Sequence, residues 1–268
     1  MKREIGILGM VICIVVGFSL GWFIPGLFTE PAPTPLIDQI QARGYIIVGT
    51  SADYPPFENK TYPGGEIVGF DIDVSQMIAD ALGVTLQMQD IGFDSLIGAC
   101  RAGTIDMIAA AMTYNTVRAA QLAASITYIS VSQVVIVKND SLVFPAPISN
   151  LTDLIGFEVG CQLGTVMQTE LEAIVGITVY TYASADVLIQ DLNAGGIDAA
   201  YVDGPIFNAW EGTYVLRIIY SSEETPLALW TRHGEPALLY EINKVIFDSY
   251  QDGSMYTLIN KWFGNVTA

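Results

Sequence analysis

The chain is organised around one stretch, Ala109-Ala110-Ala111-Met112-Thr113-Tyr114-Asn115-Thr116-Val117-Arg118. Its first half continues an apolar run from Ile105, which predicts a buried strand of a parallel sheet. Its second half predicts a helix that begins after the N-cap Asn115 and runs through Leu122. Arg118 then lies in the first helical turn, where the helix dipole disfavours a cation. We therefore expect an anion beside it. The alternatives are an arginine that points into water or one that pairs with a nearby aspartate.

The composition excludes one large class of partners. The chain has 268 residues, with 11 lysines and arginines against 28 aspartates and glutamates, and a formal charge of −17. Binding of nucleic acid needs clustered basic residues, so no nucleic-acid partner is expected. Three cysteines provide no disulfide framework, and Cys100 and Cys161 are interpreted as core residues. No histidine and cysteine cluster has the spacing of metal ligands, and no cofactor is expected.

The N-terminal part has the pattern of a membrane anchor. Ile5–Thr29 contains no charged residue and follows Lys2 and Arg3. Such a stretch is long enough to span a bilayer, and its basic flank stays in the cytoplasm. We therefore predict an uncleaved transmembrane helix over residues 1–29 and a proline-rich spacer over residues 30–36. A cleaved signal peptide is the competing interpretation, although the stretch lacks a good small-x-small cleavage site.

Helical and strand patterns alternate along the rest of the chain, which predicts an α/β fold. Two extended segments, Thr127–Lys138 and Ser221–Pro226, interrupt the alternation and are interpreted as crossings between two lobes. The predicted fold is a two-lobed clamshell, each lobe a mainly parallel sheet flanked by helices, with ligand bound at the carboxyl ends of the strands. Lobe 1 is predicted over residues 37–132 and 223–268, and lobe 2 over residues 133–222.

A family resemblance is carried by Gly69-Phe70-Asp71-Ile72-Asp73-Val74. This motif resembles the signature of the polar amino-acid-binding proteins of ABC importers, the family 3 extracellular solute-binding proteins with a type II periplasmic-binding-protein-like fold. The similarity runs from Ile37 to Gly264. Further fragments support it, in the family's order: Val48–Phe57, Phe93–Ile97, Gln162–Thr165, Gly196–Ala199 with Asp203, and Trp262–Gly264.

The resemblance implies a site for the backbone groups of an amino acid. Arg118 is expected to pair with the ligand's α-carboxylate, since guanidinium suits that bidentate geometry. Thr113 is expected to offer a hydroxyl and an amide, and the carbonyl of Ala111 to accept from the amino group. Asp203 is expected to bind the α-ammonium. The alternative for Asp203 is a cap of the helix that begins near Gly204, and both roles are compatible.

The same resemblance implies three further pairs of ligand-binding residues: Thr165 and Val166, whose amides start a helix and hold the carboxylate; Tyr54 and Phe93, which sandwich the ligand's side chain; and Ser51 and Gln162, which line the specificity pocket. Relatives that bind cationic side chains often have an aspartate where this chain has Ser51. The serine therefore argues against a lysine or arginine ligand without excluding it.

These residues together predict a receptor tethered to the cell membrane, with its binding domain on the extracellular or periplasmic side. It would capture a free amino acid and deliver it to the permease and ATPase subunits of an ABC transporter. The alternatives are a sensing module for a separate signalling partner and a dehydratase of the same fold. Acid–base catalysis needs a placed histidine or a perturbed carboxylate. Because the sole histidine, His233, falls in a turn away from the cleft, no enzyme activity is expected.

Overall fold

The computed structural model describes residues 34–144, 146–210 and 212–264. The predicted anchor, 1–29, and residues 30–33 of the predicted spacer lie outside the described residues. Across the described ranges, no helix is both long and apolar enough to cross a membrane.

Helices and strands alternate, as the sequence patterns predict. The described strands are β1 (Tyr45–Thr50), β2 (Asp53–Tyr54), β3 (Glu58–Lys60), β4 (Ile67–Val68), β5 (Thr85–Asp90), β6 (Met107–Ile108), β7 (Ala123–Ala124), β8 (Ile129–Lys138), β9 (Glu158–Gln162), β10 (Thr178–Tyr182), β11 (Ala199–Asp203), β12 (Leu216–Leu227) and β13 (Trp230–Thr231). The described α-helices are α1 (Leu36–Arg43), α2 (Phe70–Leu82), α3 (Leu96–Ala102), α4 (Thr116–Ala119), α5 (Val166–Glu172), α6 (Ala185–Ala194), α7 (Gly204–Trp210), α8 (Pro236–Asp252) and α9 (Ser254–Phe263). Two 3₁₀ turns cover Phe93–Ser95 and Leu151–Leu154.

The strands form two mixed sheets and one small antiparallel sheet. The first sheet has the order β5-β1-β6-β13-β7 and the second the order β10-β9-β11-β8-β12, while β2, β3 and β4 form the small sheet. The first lobe contains the first and small sheets, and the second lobe contains the second sheet with α5, α6 and α7. In each large sheet three neighbouring strands are parallel and the remaining pairings are antiparallel.

The prediction of mainly parallel sheets is therefore wrong in its proportion. The antiparallel pairings come from β8, β12 and β13, which are the strands that leave one lobe or return from the other. They enter their sheets without the right-handed helical crossover that makes neighbouring strands parallel, so they run in the opposite direction. The two-lobed α/β architecture itself is confirmed.

Two long strands connect the lobes. β8 and β12 pair in antiparallel register from Lys138 opposite Leu216 to Ile129 opposite Leu227, with irregularities in between. At its far end Leu227 forms an isolated bridge with Thr113. The crossing strands therefore end beside the stretch from Ala109 to Arg118. The lobe boundaries predicted after residues 132 and 222 fall inside these two strands.

Helix α2 shows how the sequence pattern builds the core. Its side chains Val74, Ile78 and Leu82 follow helical spacing and are all buried. The helix ends where Gly83 adopts a left-handed φ of 70° and donates back to the last turn, a conformation that glycine adopts without steric cost. The helical spacing of the apolar residues and the glycine that follows them therefore account for both the buried face of α2 and its end.

The segment from Ala109 to Arg118 differs from its predicted secondary structure at both ends. The strand is limited to Met107–Ile108, because the N–H of Ala111 donates to the side chain of Asp71 instead of to a neighbouring strand. Pairing with the returning chain resumes at Met112, whose carbonyl accepts from the Ala228 N–H and from the Trp230 indole. Helix α4 ends at Ala119, so the helix predicted through Leu122 is too long. Pairing of β7 with β13 draws the next residues into the sheet, and this tertiary contact overrides the helix propensity of the alanines.

Candidate ligand-binding site

All ten residues predicted for the site line one cavity, whose unfilled space is about 300 Å³ including its opening to solvent. The first lobe contributes Ser51, Tyr54, Phe93, Ala111, Thr113 and Arg118. The second lobe contributes Gln162, Thr165, Val166 and Asp203. Two further lining residues, Glu58 and Met167, were not predicted. The cavity therefore lies between the lobes, where the predicted clamshell places its ligand.

One wall of the cavity is a segment of strained backbone at Ala111. This residue has a φ of 45°, in the left-handed region that non-glycine residues seldom occupy. Its N–H donates to Asp71 Oδ2 over 2.8 Å, and the Tyr128 hydroxyl holds the same carboxylate at 2.8 Å and 2.9 Å. The neighbouring Met112 carbonyl accepts from the Trp230 indole at 3.2 Å. These hydrogen bonds hold the backbone of Ala111 and Met112, which we call the ledge, in its strained conformation. Backbone strain of this kind is typical of binding sites.

Arg118 is a buried cation, only 5% exposed. Its guanidinium donates to the carbonyl of Thr113 over 2.7 Å and, across the cleft, to the carbonyl of Gly164 over 3.0 Å. Its guanidinium carbon lies 5.4 Å from the ring centroid of Phe93. Burial lowers the pKa of Arg118 to about 10, so the side chain stays protonated at neutral pH. Two carbonyls and a ring face hold the guanidinium in place.

The predicted N-cap Asn115 is confirmed, since its side chain accepts from the Arg118 N–H over 2.8 Å. The electrostatic argument built on it is wrong. Helix α4 has four residues, so Arg118 belongs to its last turn as well as its first. A single turn has almost no macrodipole for a cation to oppose. The anion whose charge stabilises protonated Arg118 is instead Asp203 of the second lobe.

Asp203 ends strand β11 and is also buried, at 3% exposed. The Tyr54 hydroxyl donates to Asp203 Oδ2 over 3.0 Å and accepts from the Asp203 N–H over 3.0 Å. Among the described residues, Asp203 Oδ1 has no hydrogen-bond partner. The carboxylate therefore does not cap helix α7, the alternative left open by the sequence. Burial raises the pKa of Asp203 to about 7, although Tyr54 and Arg118 act against the increase.

The second-lobe loop that faces the cavity is shaped by Thr165 and Gly164. Thr165 is the N-cap of α5: its hydroxyl donates to the carbonyl of Gln162 over 2.7 Å and accepts from the N–H of Gln168. Gly164 has a φ of 82°, and a Cβ at this position would lie 3.0 Å from the Cα of Asp94 in the first lobe. Only glycine permits this close approach of the two lobes.

The two predicted aromatic residues reach the cavity from different directions. Tyr54 stacks on Phe57, with ring centroids 6.3 Å apart, and directs its hydroxyl across the cleft to Asp203. Phe93 packs against Arg118. Each ring thus also positions one of the two buried charged residues.

Glu58 also lines the cavity, is 1% exposed and was not predicted from the sequence. When it is protonated, its carboxyl group donates a hydrogen bond to the carboxylate of Asp71. Burial, followed by the nearby carboxylates of Asp71 and Asp53, raises the pKa of Glu58 well above its usual range. Glutamate is mostly exposed in proteins, so its type favoured a surface position. The signal that was available is its place in a short strand directly after Phe57, a core residue.

The remaining predictions concern chemistry outside the cavity. Cys100 and Cys161 are free and buried, which confirms them as core residues. His233 is exposed in a turn and does not line the cavity. Among the described residues no group of histidine, cysteine and carboxylate side chains is arranged to hold a metal ion.

Comparison with known proteins identifies a family and several relatives. Residues 46–265 match the model of the bacterial extracellular solute-binding proteins, family 3. The L-cystine-binding protein TcyJ of Escherichia coli (strain K12) is 29% identical over 262 residues, which cover 95% of this chain and 93% of that protein. The arginine-binding extracellular protein ArtP of Bacillus subtilis (strain 168) is 29% identical over 227 residues, covering 81% and 86%.

A solved structure extends the similarity to three dimensions. The P235GK mutant of ArgBP from T. maritima superposes with a TM-score of 0.80 at 34% sequence identity. The match covers 85% of this chain and 99% of that one.

Proposed function

The chain belongs to the bacterial extracellular solute-binding proteins of family 3, and we propose that its interlobe cavity is the site at which it captures an amino acid for an ABC transporter. Like its cystine-binding and arginine-binding relatives, it is a binding protein and not an enzyme. Closure of the lobes around the amino acid favours one conformation for recognition by the permease, since contacts from both lobes stabilise the closed state.

One observation carries the assignment of the site. A buried cation from the first lobe and a buried carboxylate from the second line the same cavity, and Asp203 Oδ1 lacks a partner among the described residues. A buried polar atom without a hydrogen bond is costly, so such atoms in a cavity generally have a ligand partner. A zwitterion provides an ammonium for Asp203 and a carboxylate for Arg118. Its two backbone charges are thereby neutralised by opposite lobes.

The other lining residues complete the proposed contacts. The Ala111 carbonyl accepts from the ligand's ammonium, and Thr113 donates to its carboxylate. The amides of Thr165 and Val166 approach that carboxylate from the second lobe, where a helix begins. The side chain of the ligand then lies between Tyr54 and Phe93, with Ser51 and Gln162 at the far wall.

We further propose that the amino acid is cationic, with arginine the first candidate. The ionisable side chains lining the cavity are those of Arg118, Asp203 and Glu58. An amino acid with a positively charged side chain complements all three, since its second cation would favour the ionised form of Glu58 and pair with it. Serine at position 51 removes the aspartate often found in relatives that bind cations, and Glu58 supplies a carboxylate at a different wall. Arginine is also the ligand named for ArtP.

Calorimetric titration of the full-length chain with single amino acids tests the assignment. Micromolar affinity corresponds to about −8.2 kcal/mol and needs only a few charged contacts beyond the costs of association. We expect arginine to bind most tightly, with one molecule per chain. The absence of binding by every amino acid would disprove the assignment.

A Glu58→Gln variant tests the class of ligand separately. The amide keeps the shape of the side chain but not its charge, so arginine should bind about tenfold to a hundredfold more weakly. A neutral amino acid such as glutamine should lose much less. If arginine and glutamine are affected equally, the cationic class is wrong while the site remains supported.

The location of the protein is proposed from the sequence. Residues 1–29 are proposed as an uncleaved membrane anchor and residues 30–36 as a spacer, which places the binding domain on the extracellular or periplasmic side. We also propose that the lobe boundaries lie after residues 132 and 222, within the two strands β8 and β12 that connect the lobes. Anchoring would keep the protein close to its permease.

A further inference from the structure

A second set of contacts joins the lobes outside the cavity, and Asp53 is at its centre. Asp53 belongs to β2 of the first lobe, is 9% exposed and does not line the ligand cavity. Its Oδ2 accepts from Gln162 Nε2 over 3.0 Å and from the N–H of Ala185 over 2.8 Å. Both donors belong to the second lobe. One carboxylate oxygen of the first lobe thus receives two hydrogen bonds across the cleft.

The chemistry of the second-lobe donors favours this carboxylate. Ala185 is the first residue of helix α6, so its N–H has no acceptor inside the helix. The side chain of the N-cap Ser184 accepts from Val187 and leaves Ala185 to Asp53. A negative charge at a helix N-terminus is also favoured by the helix dipole. Asp53 therefore caps a helix of the opposite lobe.

Asp53 is equally well held on its own side. The Ser51 hydroxyl donates to Asp53 Oδ1 over 2.7 Å, and the Asp53 N–H donates to the carbonyl of Ser51 over 2.7 Å. Burial raises the pKa of Asp53 to about 6, which leaves it mainly ionised at neutral pH. The carboxylate is thus oriented toward the second lobe by Ser51, which itself lines the cavity together with Gln162.

We propose that Asp53 is a positioning residue that clasps the second lobe against the first and so sets how long the bound amino acid is retained, without touching it. The inference rests on the proposed function for the ligand and on the observed contacts for the clasp. Opening the cleft must break the bonds from Gln162 and Ala185, so the clasp acts on dissociation. Entry of the ligand into an open cleft does not depend on it. Removal of the clasp should therefore increase the dissociation rate and leave the association rate nearly unchanged.

The test compares Asp53→Ala with the conservative Asp53→Asn in the full-length chain, using L-arginine as the probe in stopped-flow experiments. Alanine removes both cross-cleft bonds, and we expect arginine to dissociate about tenfold to a hundredfold faster. Asparagine keeps one oxygen that accepts from both donors, so it should restore most of the retention. Glu66→Ala, which removes an exposed carboxylate beside β4, is the matched control and should behave as wild type.

A second variant approaches the contact from the other lobe. Ala185→Pro removes the N–H that donates a hydrogen bond to Asp53. Ala185 is the first residue of the helix, a position at which proline is well tolerated. Ser184 has the extended backbone that a residue before proline prefers. Alone, this variant should also increase the dissociation rate. Combined with Asp53→Ala it should add little, because both changes remove the same interaction.

A distance measurement tests the clasp without any ligand-binding assay. Spin labels at Asp80 and Glu172, exposed residues of the first and second lobes, report the separation of the lobes. Asp53→Ala should shift the distance distribution toward a more open cleft than wild type or Glu66→Ala. An unchanged distribution, or an unchanged dissociation rate in a protein that binds arginine, would overturn the clasp. If wild type binds no amino acid, the proposed function fails while the distances still decide the clasp.

Discussion

Two buried charged residues, Arg118 and Asp203, line opposite sides of the cleft and define the proposed site at the level of single residues. Arg118 already donates to two backbone carbonyls, at Thr113 and Gly164. A lysine has one compact charged group and cannot reproduce the planar set of donors that also reaches a carboxylate. Charge alone is therefore not sufficient at this position.

Arg118→Lys should accordingly weaken amino-acid binding by about tenfold, and Arg118→Ala by about a hundredfold or more. Titration calorimetry of the full-length variants measures both effects. Arg101→Lys, at an exposed position of α3, is the matched control and should bind as wild type. Wild-type affinity in Arg118→Ala would remove this residue from the site.

The raised pKa of Asp203 leads us to predict that ligand binding depends on pH. Burial holds its pKa at about 7, and the ammonium of a bound amino acid would favour the ionised form and lower that pKa. Binding should then release a proton from Asp203, so that affinity falls by up to about tenfold per pH unit below pH ~7. Titrations in buffers of different ionisation enthalpy measure the released proton. Asp203→Asn should remove this decrease below pH ~7, and a wild-type affinity that does not fall there would contradict the role of Asp203.

Most residues that line the cavity were predicted from the sequence, and Glu58 shows where prediction ended. The ten predicted residues belong to short segments with recognisable motifs, and the structure brings them into one cavity. Glu58 has no motif role that the sequence reveals, and its burial follows from tertiary packing that local patterns do not encode. Asp53 was missed for a related reason: its partner Ala185 lies far away in sequence and offers a backbone N–H, which carries no side-chain signal.

At the scale of elements, helix and strand identities were predictable from periodicity, whereas lengths and pairings were not. Helix α2 follows its pattern to Gly83. Helix α4 stops at Ala119 because β7 pairs with β13, a strand more than a hundred residues away. The antiparallel members of both large sheets also depend on long-range topology, which local patterns do not encode.

Gly164 provides an element-scale prediction, since its loop must pass close to Asp94. Gly164→Ala should weaken amino-acid binding by about tenfold or more, because the Cβ prevents the lobes from approaching fully. Gly195→Ala is the matched control: Gly195 has a φ of 81° and nothing within 4 Å of an added Cβ. Both variants should lower the free energy of unfolding by about 1 kcal/mol or more in chemical denaturation. Equal binding losses in the two variants would contradict the cleft contact.

At the scale of the whole molecule, the two lobes have distinct parts in one site. The first lobe supplies the guanidinium, the ledge and both aromatic rings, while the second supplies Asp203 and the loop around Gly164. In the proposed complex each lobe supplies the partner of one charge of the zwitterion. Ligand binding and lobe closure are therefore expected to be coupled, which is the conformational change that a permease can recognise.

Membrane attachment is the second whole-molecule prediction. Paired changes of Val15 and Val16 to aspartate should release the protein from membranes, since each charge costs about 2.5–3.5 kcal/mol at the centre of a spanning helix. Fractionation of cells in high salt, followed by N-terminal sequencing, measures release and cleavage together. Wild-type protein recovered in the soluble fraction without its first residues would establish a cleaved signal peptide instead.

We propose that one amino acid is held between the opposite charges of the two lobes, and calorimetric titration of the full-length chain and its Asp203→Ala variant with each proteinogenic amino acid is the decisive test. Wild type should bind one molecule of arginine with a Kd of about 1 μM or tighter, and the variant should bind at least about a hundredfold more weakly. Equal affinity in wild type and variant, or no binding of any amino acid by wild type, would contradict it.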